Sequence, residues 1–199
     1  MNVIGVGTAG ITLIRKLKIR YPKVKYFGID TKGPWNRPNH SLINIVFKRE
    51  VGIYKEVQNL EHNLKFEVVL FPSSMEVLEH NWLSNFSSIE PLFHLKEASI
   101  VVAGIGRMGG YISYKLMKEF LKNSEFNPIL FAITPFSFEG SQSNNIQYSL
   151  LTELLNSGVH VELLNNSDLI ADYPNTSLSE KFKISDEKII ERIGHFIPA

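Results

Sequence analysis

The chain has 199 residues, of which 44% are hydrophobic, and a formal net charge of +1. This length fits one domain with a real core, and the near-neutral charge gives no electrostatic reason to expect binding to nucleic acid or to an anionic membrane. The sequence contains no cysteine, which excludes disulfides and thiolate metal sites, and it shows neither a charged leader nor an apolar run of about 18 residues. We therefore expect a soluble cytoplasmic protein without a membrane span.

The first part of the chain predicts a strand, a helix and two further strands. The run NVIGV is typical of a buried strand, and ITLIRKLKIRY places Ile11, Ile14 and Leu17 at helical spacing before Pro22. VKYFGID predicts a second strand, TKGPWNRPNH a loop, and SLINIVF a third strand. Residues 48–97 form a divergent segment that combines strand-like FEVVLF with helix-like SMEVLEHNWLSNF.

The second part alternates strands with helices. ASIVVAG and NPILFAIT predict strands on either side of the helix YISYKLMKEFLKN, and IQYSLLTELLNSG predicts a helix that stops at Gly158. VHVELL predicts another strand, and SDEKIIERIGHFI a last helix with Ser185 as its N-cap and Pro198 beyond it. This alternation predicts a Rossmann-like, three-layer α/β fold with a parallel sheet between two layers of helices.

Two glycine clusters each lie between a predicted strand and a predicted helix. The first, Gly5-x-Gly7-x-x-Gly10, matches the dinucleotide pattern, and Asp30 follows it at the end of the second strand. The second consists of Gly104, Gly106, Gly109 and Gly110. Glycine lets a phosphate approach the backbone, and the following helix offers unpaired N–H groups. The clusters therefore predict a phosphate ligand, with a plain tight turn as the alternative at each place.

Five stretches, in chain order, resemble the nucleotide-binding domain of the tubulin/FtsZ family of GTPases. They are VIGVGTAG, YFGIDT, ASIVVAGIGRMGG, FAITPFSFEGS and VELLNNSDLI. The resemblance covers residues 2–47 and 98 to about 197, and FtsZ is a closer match than the eukaryotic tubulins. It implies the fold of cytoskeletal and cell-division proteins and a GTP or GDP ligand, with Mg²⁺ as an optional companion ion.

The resemblance also assigns binding roles to individual positions. It implies a first phosphate loop of Gly5, Gly7, Thr8, Ala9 and Gly10, and a second of Gly104, Gly106, Arg107, Met108, Gly109 and Gly110. It places Glu139 at the ribose, Asn166 at the base or ribose, and Asp186 at the base. A carboxylate at the base favours guanine, whose N1–H and N2–H₂ donors adenine lacks.

Each of the charged positions has a simpler explanation beside the binding role. Asp30 is compatible with a turn-forming residue, and Asp186 with a favourable charge at a helix N-terminus. Glu139 is compatible with a helix cap, and Arg107 with a solvated side chain. The histidines show no metal-ligand spacing, so we expect no metal site.

Several departures from the family pattern limit the expected activity. Arg107 and Met108 replace glycines of the signature loop, Ser143 replaces an arginine that helps to hold the nucleotide, and no GAGANP-like loop occurs between Phe47 and Ala98. We expect the family's catalytic loop and C-terminal domain to be absent, so that residues 1–199 form a single domain. The resemblance then implies nucleotide binding with at most weak GTPase activity, no catalytic residue, and a monomer, a homodimer or a complex with another protein.

Two other functions remain open from the sequence. The domain is compatible with an interaction protein that keeps the fold and has lost nucleotide binding. It is also compatible with an NAD-binding Rossmann domain, given the first glycine cluster and Asp30.

Overall fold

The computed structural model describes residues 1–31, 44–45, 53–54, 57–58, 67–71, 89–94, 97–123, 128–139 and 141–198. The strands are β1 (Asn2–Val6), β2 (Lys25–Thr31), β3 (Asn44–Ile45), β4 (Ile53–Tyr54), β5 (Val57–Gln58), β6 (Glu67–Phe71), β7 (Ser99–Gly104), β8 (Ile129–Thr134) and β9 (His160–Asn165). The α-helices are α1 (Gly7–Arg20), α2 (Met108–Asn123), α3 (Ser141–Asn156), α4 (Asn166–Leu169) and α5 (Leu178–Gly194). Two 3₁₀ turns are η1 (Glu90–His94) and η2 (Ser137–Glu139).

The main sheet has the strand order β4-β6-β2-β1-β7-β8-β9. All neighbouring strands in it run parallel except β4, which pairs antiparallel with β6 at the edge. The reversal of direction along the order, with β2 on one side of β1 and β7 on the other, places a crevice at the carboxyl ends of these strands. The predicted α/β fold is therefore confirmed.

Strand alternation explains why the apolar runs are continuous. On β1 and β7 one set of side chains (Val3, Ile100 and Val102) packs with α1 and α5, whereas the other set (Ile4, Val101 and Ala103) packs with α2 and α3. Both sets are almost fully buried. A strand covered by helices on both faces needs apolar residues at every position, which is the pattern in the sequence.

The segment between β2 and β7 differs from the prediction. SLINIVF contributes only Asn44–Ile45 as described strand, and this strand pairs antiparallel with β5 in a separate ribbon. The place beside β2 is taken instead by β6, which lies in the FEVVLF stretch. The predicted helix in SMEVLEHNWLSNF lies outside the described residues.

The last helix begins earlier than the sequence pattern predicted. It starts at Leu178, and Ser177 is its N-cap, in a capping box with Glu180. Ser185 lies in the middle of the helix and is buried, so its prediction as the N-cap is wrong. The apolar repeat begins late in this helix because its first turns lie at the edge of the core, and the repeat therefore misplaced the start. None of the helices in the described ranges has the length and apolar character to cross a bilayer.

Candidate functional site

The carboxyl ends of the central strands open into a cavity of about 750 Å³. Its walls come from the two glycine turns, the segments that follow β8 and β9, and one face of α5. The lining includes eleven of the predicted site residues: Gly7, Thr8, Ala9, Asp30, Gly104, Gly106, Arg107, Met108, Gly109, Asn166 and Asp186. The fold thus brings together residues that are up to 179 positions apart in the sequence.

The first glycine turn leads directly from β1 into α1. Gly7 has φ +70°, in the left-handed region that favours glycine, and it is the first residue of the helix. The helix has no side-chain N-cap bond and no acidic residue in its first turn. Its N-terminal N–H groups and its positive dipole end therefore have neither a side-chain cap nor an acidic partner within the helix's own first turn.

The second glycine turn touches the first through its backbone. A Cβ built on Gly7 would lie 3.0 Å from Cα of Gly109, and one built on Gly109 would lie 3.3 Å from Cα of Gly7. The N-terminus of α2, whose first turn also has no acidic residue, is thereby held against that of α1. Arg107 lies between β7 and α2, is exposed, and forms no ion pair with the described residues.

Three predicted glycines do not line the cavity and have packing roles instead. A Cβ on Gly5 would lie 2.6 Å from the carbonyl oxygen of Gly10, and one on Gly110 would lie 2.6 Å from Cα of Ile105. A Cβ on Gly10 would collide with the carbonyl oxygen of Val102 on β7. These glycines allow α1 and α2 to approach the sheet closely enough to aim their N-termini into the cavity.

Asp30 reaches the cavity from β2. It lies within the strand, paired with Leu70 of β6, and is 3% exposed. It therefore contributes a nearly buried carboxyl group to the wall beneath the first glycine turn.

A network of polar side chains forms the opposite wall. The Thr134 hydroxyl donates to Oδ1 of Asn165 at 3.2 Å, and the backbone N–H of Asn166 donates to the Thr134 hydroxyl oxygen at 3.3 Å. Asn165 Oδ1 also accepts from the N–H of Ser167 and so caps α4. Ser185 on α5 donates to Oδ1 of Asn166 at 2.6 Å. This hydrogen bond fixes the orientation of the Asn166 side chain at the cavity wall.

The helix α5 contributes a carboxylate and an aromatic ring. Asp186 and Phe182 lie one turn apart on this helix, and both line the cavity. Oδ2 of Asp186 accepts from Nζ of Lys16 on α1 at 3.0 Å. Asp186 lies in the middle of α5, so its explanation as a charge at a helix N-terminus is wrong.

Glu139 is the last residue of η2, close after the Thr134–Pro135–Phe136 wall. Its side chain lies outside the described part of the chain, as does that of Ser143. The assignment of Glu139 to a ribose therefore stays a prediction.

Sequence reasoning missed the aromatic residues of the site and the hydroxyl residues Thr134 and Ser185. Phe136 lies 4.9 Å from both Phe138 and Phe182, measured between ring centroids, and Phe138 stacks on it with planes 10° apart. Phe182 could have been found by its spacing of four from Asp186. Thr134 and Ser185 gave no such signal, because only the tertiary fold brings them to the cavity. The described residues contain no cluster of histidine, aspartate and glutamate suited to a metal ion.

No protein-family model and no curated protein matches this sequence. Solved structures do. An empty FtsZ dimer from M. jannaschii is 20% identical with a TM-score of 0.66, and the match covers 96% of this chain and 52% of that chain. GDP-bound monomeric CetZ1 from Haloferax volcanii is 16% identical with a TM-score of 0.68, covering 97% and 58%.

A third similar structure is TubZ of the Clostridium botulinum phage c-st, at 12% identity with a TM-score of 0.60, covering 94% of this chain and 56% of that one. The chain thus spans just over half the length of the structures it matches. At these identities the likeness establishes the fold, and the predicted tubulin/FtsZ-like fold is confirmed.

Proposed function

We propose that this chain is a tubulin/FtsZ-like module that binds GTP or GDP at the carboxyl edge of its sheet and hydrolyses GTP slowly or not at all by itself. We further propose that residues 1–199 act as one nucleotide-binding domain in the cytoplasm, with residues 48–97 as a divergent segment. The observation that carries the proposal is the convergence of two helix N-termini, both without an acidic first turn, on one cavity.

The glycine turns suit a chain of phosphates. Two adjacent helix N-termini present backbone N–H groups and positive dipole ends to the same space, which is an arrangement that binds anions. A side chain at Gly7 or Gly109 would fill the gap between the turns. Arg107, exposed at the cavity wall, adds a permanent positive charge for a phosphate oxygen.

The far wall suits a purine base and its sugar. Phe182 offers an aromatic face, Asp186 offers carboxylate acceptors and Asn166 an amide donor, all on the same cavity. Ionised carboxylate accepts only, so it matches the N1–H and N2–H₂ edge of guanine. A volume of about 750 Å³ lies within the usual range for nucleotide-sized ligands. The GDP-bound state of the similar CetZ1 structure supports the same ligand.

Hydrolysis needs a group that orients the attacking water, and such assistance typically contributes about 10²–10⁴-fold. The carboxylates among the described residues of the cavity wall are Asp30, which is 3% exposed, and Asp186, which is ion-paired with Lys16. Asp30 is almost fully buried, and Asp186 lies on α5 at the wall that we assign to the base, so neither is placed to orient a water at the glycine turns. We therefore propose turnover near the uncatalysed rate, unless a second copy or another protein supplies the missing group.

The two alternatives are less favoured. An interaction protein that had lost its ligand would have no need for two helix N-termini without acidic first turns facing one cavity. An NAD-binding domain needs one glycine turn, whereas here a second turn packs against the first and shares its cavity.

The test is calorimetric titration of the purified chain with GDP, GTP, ADP and NAD, together with identification of any nucleotide retained after mild purification. We expect binding of GDP and GTP, weaker binding of ADP, and no binding of NAD. Phosphate release from GTP, measured across a range of protein concentrations, should stay near background. Absence of GDP and GTP binding would refute the nucleotide proposal, and rapid release that rises with protein concentration would refute slow hydrolysis.

A further inference from the structure

Lys16 forms an ion pair whose other partner belongs to the cavity wall. Its Nζ lies 3.0 Å from Oδ2 of Asp186, and the pair joins α1 to α5 across 170 residues of sequence. The two side chains are 35% and 24% exposed, so the pair is partly shielded from solvent. Salt screens the attraction within a partly buried pair less than within a fully exposed pair.

The ion pair engages one oxygen of the Asp186 carboxylate and leaves the other oxygen available as an acceptor. Lys16 takes Oδ2, and among the described residues no second group bonds Asp186. Lys16 itself is absent from the cavity wall, whereas Asp186 and the neighbouring Phe182 are part of it. The lysine therefore orients the carboxylate from behind while Oδ1 remains as an acceptor for a ligand.

We infer that Lys16 is a positioning residue for base selectivity: it holds the Asp186 carboxylate in one orientation as an acceptor and so favours a guanine base over adenine. The inference rests on the proposed nucleotide function and goes beyond it, because it assigns the choice of base to a residue outside the cavity. Guanine presents the donors N1–H and N2–H₂, hypoxanthine presents only N1–H, and adenine presents an N1 acceptor. An acceptor fixed in place rejects the last of these, because the two lone pairs would face each other.

Alternatively, Lys16 could have only a structural role and stabilise the packing of α1 against α5. Loss of that role would lower stability and would lower the affinity for all nucleotides alike. A positioning residue changes the ratio of affinities between bases and acts only through Asp186. The ratio therefore separates the two roles.

The experiment is competition binding of GDP, IDP and ADP to the wild-type chain, K16M, K16R, and the matched control K23M, which removes a lysine exposed in the turn after α1. For the wild type we expect affinity to fall in the order GDP, IDP, ADP. K16M should lower the GDP-to-ADP affinity ratio about fivefold to tenfold, as expected for loss of an oriented hydrogen bond to a charged group. K16R should restore most of the ratio, and K23M should leave it unchanged.

The same measurement in a D186A background tests whether the effect of K16M passes through Asp186. There K16M should change the ratio less than about twofold, because its effect passes through the carboxylate. An unchanged ratio in K16M, or an equal fall in both backgrounds, would overturn the positioning role while the proposed function stands. Wild-type binding of nucleotides without preference for guanine would do the same. No binding of any nucleotide by the wild type would overturn the proposed function, and this inference with it.

Discussion

The two walls of the cavity are built in different ways. The wall that we propose binds phosphates consists mainly of backbone: the glycines of two turns that touch each other, and the N-termini of α1 and α2, which have no acidic residue in their first turns. The wall that we propose binds the base, called the base wall below, consists of side chains. Hydrogen bonds and an ion pair between α1, α4, α5 and the strand ends hold them in place. Each turn of the first wall follows from a short local spacing of glycines, and the two turns meet through the backbone of Gly7 and Gly109. The second wall depends on side-chain contacts between residues 19 to 170 positions apart.

This difference teaches how each wall tolerates change. A backbone wall fails when a side chain is added, because nothing can move aside without moving a helix. A side-chain wall fails by degrees, because each hydrogen bond contributes a limited part. We therefore expect the largest effects from substitutions in the glycine turns and smaller ones from substitutions around α5.

The largest effect should follow G10A. The new Cβ would collide with the carbonyl oxygen of Val102 and lie 3.0 Å from the backbone of Gly5, so α1 would have to move off the sheet. We expect a loss of about 3 kcal/mol or more in the free energy of unfolding, as for severe overpacking. Urea unfolding followed by circular dichroism measures it.

G158A is the matched control for that variant. Gly158 has φ +78° and no atom within 4 Å of an added Cβ, so alanine there meets strain without collision. We expect a loss of about 1–2 kcal/mol. A G10A variant no less stable than G158A would show that the close packing beneath the first glycine turn is not needed for the fold.

The second-largest effect should be a loss of GDP affinity in the variant T8D, with the fold intact. T8D places a negative charge in the uncapped first turn of α1, where Thr8 is exposed and lines the cavity. An acidic residue favours a helix N-terminus by about 0.3–1 kcal/mol, so stability should be kept or raised. Repulsion of a nearby phosphate, at about 4 kcal/mol per unit charge pair at 4 Å in a partly polar medium, should weaken GDP binding about 100-fold or more.

The control T152D makes the same change at an exposed position of α3, away from the cavity. It should leave GDP affinity within about twofold of the wild type, since exposed charges beyond the screening length interact weakly. Calorimetry on both variants gives the comparison. Equal GDP affinities for T8D and T152D would show that the phosphates of GDP do not bind at the first glycine turn.

Valine at Gly7 would be a poorer test of the same wall. Gly7 has φ +70°, where a β-branched residue is strongly disfavoured, so G7V would disturb the start of α1. A loss of binding in that variant would not separate a blocked ligand from a damaged helix start.

The sequence could predict that the two glycine turns would lie at one cavity, because each turn follows a strand of the same parallel sheet. Their binding of phosphate stays a prediction. The resemblance to the tubulin/FtsZ family also predicted that Asn166 and Asp186 would lie at this cavity. The continuous apolar runs were enough to predict the parallel sheet. Three of the predicted glycines do not line the cavity: Gly5, Gly10 and Gly110. The sequence could not separate them from the others, because the same glycine spacing is compatible with ligand approach and with helix packing.

The base wall was harder to predict because its partners are distant. Ser185 was interpreted as a helix cap, and only the contact with Asn166 explains why a hydroxyl is buried there. Lys16 gave no signal at all, since its partner lies on the last helix. Periodicity also placed the start of α5 too late, whereas the capping box of Ser177 and Glu180 marks it in the sequence.

A smaller effect should follow S185A. Ser185 is 2% exposed, and without its hydroxyl the Asn166 Oδ1 would lose the donor that lies 2.6 Å away. We expect a loss of about 1–3 kcal/mol in stability and a fall of a few-fold in GDP affinity, because the Asn166 amide is no longer fixed. S179A, at an exposed position of the same helix, should change neither. A stable S185A variant with weakened binding would still support the network, whereas wild-type values for both quantities would contradict it.

The smallest effect should be a dependence of stability on pH at the start of α5. The Ser177 side chain, and then its backbone N–H, donate to Glu180 and lower the pKa of that carboxyl group. Because the pKa is lower in the folded state, the contribution of Glu180 is present above its unfolded pKa and is lost as pH falls through the folded value. The melting temperature of E180Q should therefore lie about 1–3 °C below that of the wild type at pH 7, and the difference should disappear in acid.

The pKa of Glu97 is lowered too, by the N-terminal ammonium and Lys25. Both proteins carry that group, so its contribution cancels in the difference between their melting temperatures. GDP affinity should be the same in both, since Ser177 and Glu180 are not part of the cavity wall. A difference in melting temperature that stays constant down to pH 3 would show that the capping box does not depend on the charge of Glu180.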